Sequence, residues 1–270
     1  MRRTGSTLGL VALLGCDGSL PSPARVDSLR VLALPTDTPT LRPGLNPTVR
    51  AVWFDPSPDR PRTFTWRLCA ETAGFDPRDC ARPAVGETLS QAAPDFVRVP
   101  ATSLQRAGRY VVWVLLCPGA AAPDPTAETL RCPTAEGFEA FRRLSVAPEG
   151  PLHPPPRIAA WTLTRGDRTV ALTDDRPVVP AAPCAGDCPA WTMTVTADPA
   201  QLHPEARLLV SFLGTTGTFS RPRDVLADAT LRPLTAGYVP ERVAGEARLW
   251  VVLRDQQGGE DVRAARVRFE

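Results

Sequence analysis

The sequence predicts an all-β chain folded as two tandem β-sandwiches. Three observations carry this. Apolar and polar residues alternate in many short runs, which is the period of a half-buried strand. Proline takes 31 of 270 positions, so long helices are disfavoured and braced loops between strands are expected. Short strings recur in the same order in each half of a chain long enough for one large or two ordinary domains.

The recurring strings are AGRYVVWVLLC (107–117) and AGEARLWVVLR (244–254), which share Ala-Gly, a tryptophan and a later leucine at one spacing. Upstream, VRAVWFDP (49–56) and TMTVTADP (192–199) coincide at Val52 and Val195 and in the closing Asp-Pro. In the first half, strands are expected at 27–34, 47–55, 62–69, 95–99, 108–117 and 141–147. In the second half they are expected at 157–164, 168–173, 190–197, 206–213, 228–233, 245–254 and 261–269. RDQQGGED (254–261) is a turn-rich link that makes the last two strands a hairpin. Regularly spaced short strands with turn signals between them point to sandwiches.

The opening residues read differently. Arg2 and Arg3 precede a short apolar run, 7–15, that ends at Cys16. The run is too short to span a bilayer core of roughly 30 Å as a helix, and it reads as a secretory signal. Leu13-Leu14-Gly15-Cys16 resembles the lipobox of bacterial lipoprotein signal peptides. That resemblance implies cleavage before Cys16 and diacylglycerol on its thiol. Two or three acyl chains, each gaining ~0.8 kcal/mol per buried methylene, would anchor the chain stably. The expected location is the bacterial cell envelope, at the outer membrane on its periplasmic or surface face. Asp17 keeps the periplasmic face of the inner membrane open as an alternative.

The expected organisation is a signal peptide at 1–15, a lipidated cysteine and tether at 16–25, a first sandwich at 26–148, a proline-rich linker at 149–156 and a second sandwich at 157–270. The linker's run of prolines suggests an extended, semi-rigid spacer.

Arginine supplies every strong base, since lysine is absent. Without the two arginines of the signal, 29 bases face 29 acids. That balance argues against a nucleic-acid binder, which would carry a basic surplus. Six cysteines remain beyond Cys16: Cys69, Cys80, Cys117, Cys132, Cys184 and Cys188. An even number in an exported chain reads as disulfides. Pairing of sequence neighbours is expected, because each pair brackets a segment bearing proline or glycine. The alternative for Cys184 and Cys188, half a metal site, lacks nearby histidine or further cysteine to complete it.

AGRYVVWV, following PATSLQR, resembles the entry to strand F of immunoglobulin-like domains. The resemblance places Tyr110 at the tyrosine corner and Trp66 of FTWRLC at the strand-C tryptophan. The inter-sheet cysteine of that fold would fall at Val112, so that disulfide is missing. In the second half Ala247 and Leu249 stand at the tyrosine and cysteine positions. Such sandwiches host many functions, so the fold adds little about activity.

Chemistry is sparse. His153 and His203 are the only histidines, each is followed by proline, and neither lies in a hydrolase motif. No catalytic residue, metal or cofactor is expected. Loop acids that could hold calcium are Asp174, Asp175, Asp255, Glu260 and Asp261, but none has EF-hand spacing, and solvated loop charge is the plainer reading.

Trp113 and Trp250 are the candidate binding residues. In 245–254, Arg248, Trp250, Val252 and Arg254 share the face turned away from the core. An exposed aromatic there could stack on a sugar or anchor a partner. The commoner fate is cover by a neighbouring loop or by the other domain. The sequence therefore points to a non-enzymatic, lipid-anchored envelope protein serving adhesion, scaffolding or assembly, with an envelope protein or a surface glycan as partner. A glycan-binding accessory lipoprotein is the alternative reading, and an unrecognised hydrolase the third.

Overall fold

The computed structural model describes residues 24–119, 126–134, 136–150, 152–172, 178–179, 189–202, 207–226, 232–241 and 245–269. Cys16, Asp174, Asp175, Cys184, Cys188 and His203 lie outside the described residues.

In the first half the strands are β1 (Arg30–Ala33), β2 (Thr40–Leu41), β3 (Thr48–Arg50), β4 (Val52–Phe54), β5 (Arg62–Ala70), β6 (Glu87–Ala93), β7 (Phe96–Arg98), β8 (Gly108–Pro118) and β9 (Phe138–Val146). In the second half they are β10 (Ile158–Arg165), β11 (Arg168–Ala171), β12 (Val178–Val179), β13 (Trp191–Ala197), β14 (Leu208–Gly214), β15 (Thr218–Phe219), β16 (Arg223–Leu226), β17 (Leu234–Val239), β18 (Gly245–Arg254) and β19 (Glu260–Phe269).

Each half has a five-stranded sheet of the same order. In the first it is β2-β9-β8-β5-β6, and in the second β12-β19-β18-β14-β16. In both, the short edge strand runs parallel to its neighbour while the long strands are antiparallel. The facing layer is β11-β10-β13-β17-β15 in the second half. In the first half it is split into two pairs, β1-β4 and β3-β7. A short early strand running parallel to the last strand of its half, followed by antiparallel strands, is the layout of an immunoglobulin-like sandwich, so the chain is all-β and Ig-like in both halves.

The hallmarks sit where the sequence placed them. The Tyr110 hydroxyl donates to the Arg106 carbonyl at 3.0 Å, which is a tyrosine corner. Trp66 is wholly buried on β5 and donates its indole N–H to Pro94 O. Phe212 on β14 takes the equivalent place in the second half, since Trp66 pairs with Val114 and Phe212 with Val251 in matching registers. The two Asp-Pro strings also match in structure. Asp55 accepts the Ser57 N–H and Asp198 the Ala200 N–H, each turning the chain two residues on.

Each half has its own core. Leu41, Val49, Trp66, Val112 and Leu144 belong to the first, and Trp161, Trp191, Phe212, Tyr238 and Leu249 to the second. Burying one such large side chain contributes about 1.5–3 kcal/mol. β19 alternates cleanly, with Ala265, Val267 and Phe269 inward and Ala264, Arg266 and Arg268 outward. β8 does not alternate and is buried along Val111–Pro118, because both its faces are covered.

The outer cover of β8 is held by the two disulfides described, Cys69–Cys80 and Cys117–Cys132. Both join sequence neighbours, as expected. Cys80 lies in a 3₁₀ turn, Pro77–Ala81, capped by Asp76. Together with Leu130 the turn packs on Trp113 and Leu115. Arg67 fastens the same loop from within. Its guanidinium, 2% exposed, donates to the carbonyls of Arg82, Pro83 and Gly86 and to the Thr88 hydroxyl. Gly86 is required by this packing, because a Cβ there would collide with Cys69 Sγ.

Two expectations are corrected. The strand placed at 228–233 does not form at 232–233. Strands lie on either side, at 223–226 and 234–239, and 227–231 are outside the described residues. The proline-rich segment does not act as a spacer, because the two halves touch directly. Arg142 of the first half lies 2.9 Å from Glu260 of the second, Leu34 N donates to Glu260 Oε2 at 3.1 Å, and the Phe54 and Trp250 rings meet at 5.4 Å.

Candidate functional site: the joint between the sandwiches

The most constrained chemistry among the described residues lies where the halves meet. Arg142 reaches it from β9, in register with inward Ala140 and Leu144. Glu260 begins β19 and Arg254 ends β18, directly opposite each other across the hairpin. Arg142 Nη1 lies 2.9 Å from Glu260 Oε1, and Arg254 Nε lies 2.7 Å from the same oxygen. The other carboxylate oxygen accepts the backbone N–H of Leu34, from the end of the first half's opening strand segment, at 3.1 Å. One carboxylate therefore ties β18, β9 and the chain after β1.

Burial pushes the Arg142 guanidinium below its ordinary pKa, against the pull of Glu260 and Asp255. Its Nε and Nη2 make no hydrogen bond to the protein. Asp255 shapes the adjoining turn by accepting the N–H groups of Gln257 and Gly259. Gly258, at φ +104°, sits in the left-handed region that favours glycine, and a Cβ there would press within 3.3 Å of Pro39 O in the first half.

The apolar part of the joint is built around Trp250. Its ring meets Phe54 edge-on at 5.4 Å, with Val26 and Leu32 completing the cluster. The incoming chain adds backbone contacts. Val26 N donates to Gly214 O, and Gly214 N to Ala24 O. Residues 24 and 25, counted with the tether from sequence, are thus fixed against β14.

Trp113 and Trp250 do occupy the outer sheet face, but neither presents an open ring. Trp113 is 1% exposed beneath the disulfide-braced loop, and Trp250 is 5% exposed beneath the first half. The cover expected as the commoner fate is what forms at both, a loop over Trp113 and the other domain over Trp250, and the candidate role as open stacking platforms falls. Burying an indole removes far more apolar area from water than leaving it on a flat sheet.

Of the acids singled out for calcium, the three that are described are engaged in protein contacts. Asp255 caps its turn, Glu260 holds two arginines, and Asp261 accepts from Ile158 and Val262. Among the described residues no group of three or more metal-binding side chains converges. His153 lies in the linker, away from any such group.

Sequence reasoning missed Arg142 and Phe54. A signal for Arg142 existed. In FEAFRRLSV an arginine occupies the register of Phe138, Ala140, Leu144 and Val146, and a charge on the inward register asks for a buried partner.

No family model and no curated protein matches the chain. Solved structures resemble it loosely. Escherichia coli α2-macroglobulin overlaps 90% of this chain and 17% of its own, at 11% identity and a TM-score of 0.28. The chicken interferon gamma receptor alpha chain overlaps 87% and 98%, at 11% identity and 0.26. The Yersinia pseudotuberculosis adhesin InvE overlaps 88% and 58%, at 12% identity and 0.23. This chain thus spans about a sixth of the macroglobulin chain. The class of protein rests on its own strand order and joint: a tandem of two immunoglobulin-like β-sandwiches locked by a buried ionic contact.

Proposed function

We propose that the chain is a lipid-anchored protein of the bacterial envelope that works without catalysis, as an adhesion, scaffold or assembly component. The observation that carries this reading is the Arg142–Glu260–Arg254 joint. Two sandwiches on a loose linker would sample many angles, whereas a buried ionic contact beside a packed tryptophan favours one. A body of fixed shape suits holding partners at set positions. Disulfides at Cys69–Cys80 and Cys117–Cys132 agree with export to an oxidising compartment. The lipobox-like run ending at Cys16 supplies the anchor.

The test uses the full-length chain in a bacterial host fed labelled palmitate. Wild type is expected to take the label and partition into detergent, and Cys16→Ser to do neither. Purified from gently solubilised membranes, wild type is expected to bring down a small set of envelope proteins in near-equal amounts. An unlabelled wild-type chain sinks the anchor. Labelled protein that purifies alone sinks the assembly role.

A further inference from the structure

A groove of 280 Å³ runs beside the joint, lined by Trp53, Arg248, Trp250, Ala264, Ala265 and Arg266. Its charge is unusual. Arg248 on β18 and Arg266 on β19 are directly opposite each other in the ladder. Like charges so placed repel and destabilise the pair. Among the described residues no carboxylate forms an ion pair with either guanidinium. Burial and then Arg266 push Arg248 below its ordinary pKa, and Glu246 opposes them only as the smallest influence. A third cation stands close by. The Arg62 guanidinium lies 4.7 Å over the Trp53 ring while pairing with Asp55 at 3.0 Å.

Shape accompanies the charge. Ala264 sits opposite Trp250 and is exposed, so the floor is low where its neighbours are large. Trp53, half-buried on β4, forms the far wall. We infer that this groove binds a carboxylate-bearing sugar ring, a uronic acid residue of an acidic glycan. Two adjacent guanidiniums can fork onto one carboxylate, with stronger hydrogen bonds than neutral donors give. The part-exposed Trp53 ring offers an apolar wall for the C–H face of a sugar, with buried Trp250 only backing the floor. The volume lies just below the usual range of ligand pockets, about 300–1,000 Å³, and suits one ring better than a folded segment. An extended peptide is disfavoured on the floor of the groove, because β18 is paired on both sides by β14 and β19 and offers it no open edge.

The test titrates the full-length protein in detergent with tetragalacturonate, followed by calorimetry and tryptophan fluorescence. Its methyl ester and tetraglutamate serve as comparisons. Tetragalacturonate is expected to bind, more weakly as salt is added. The ester should bind at least about tenfold more weakly, as should the sugar to R248Q/R266Q. The melting temperature of that variant should hold or rise, since a repulsion is relieved. Ala264→Leu keeps both charges but fills the floor, and is expected to lose binding too. Cys16→Ser should bind as wild type does, which separates this result from the anchor. No binding of tetragalacturonate overturns the inference. So does equal binding by R248Q/R266Q or by Ala264→Leu, and so does tetraglutamate binding as tightly as the sugar.

Discussion

Arg142 and Glu260, one from each sandwich, meet at 2.9 Å with both side chains more than nine-tenths buried. Removing one partner of such a pair leaves the other charged and dry. Glu260→Ala is expected to destabilise the protein by about 3–5 kcal/mol in urea denaturation. R142M/E260M should recover much of that loss, because no buried guanidinium is left at position 142 and Arg254, 29% exposed, can reach water. Equal destabilisation by both variants would show that the carboxylate matters through Arg254 and Leu34 instead.

Trp250 and Trp113 occupy equivalent strand positions but different environments. Each cut to alanine should cost about 3–5 kcal/mol. Small-angle scattering should tell them apart. Trp250→Ala is expected to enlarge the radius of gyration by loosening the two halves, and Trp113→Ala to leave it unchanged.

The disulfides brace one cover on the first sandwich. Cys117 and Cys132 are 15 residues apart, and their bond should contribute about 3 kcal/mol in the chain-entropy account. C117S/C132S should lose that amount in denaturation. The second sandwich should unfold at the same denaturant concentration as before if the halves are energetically separate, and earlier if the joint couples them.

Acid should weaken the fold through two aspartates. Burial opposes ionisation of Asp55, but the Ser57 N–H and the Arg62 and Arg60 guanidiniums outweigh it and hold the carboxyl below its ordinary value of 3.8. Asp224 is held low in the same way, with burial outweighed by Arg232 and by the N–H groups of Thr235 and Val225. A lowered native pKa means the unfolded chain binds more protons in that window. The stabilisation is complete above about pH 4 and is lost as pH falls toward the lower native values. Asp55→Asn and Asp224→Asn should each be less stable at pH 7 and show a shallower acid limb in a stability–pH profile.

Much of the fold was legible because strands covered on one face keep a strict period of two. β13 and the outer part of β19 keep that period, and β10, β13, β14, β18 and β19 all fall within a residue or two of their expected bounds, although β14 and β18 are buried on both faces over part of their length. β17, LTAGYV, was missed although Leu234, Ala236 and Tyr238 alternate inward, because glycine and alanine dilute its apolar signal. β2 and β12 are two residues each and exist only through pairing with β9 and β19, which no local pattern encodes. The joint was legible only in fragments. Glu260 was singled out as an acid and Trp250 as an outer-face aromatic. What covers them comes from residues more than 100 positions away in the chain, as far as 226 for Leu34 and Glu260, and periodicity carries no information over that distance.

The two outer faces also differ in what they leave available. On the second sandwich the Trp250 site receives the first sandwich, while on the first the matching Trp113 site is closed by its own disulfide-stapled loop. A head-to-tail contact of this kind could repeat indefinitely, since each new unit would offer the next the same seat. Here the loop acts as a stopper. The first sandwich therefore offers no second seat of this geometry for another unit to fill.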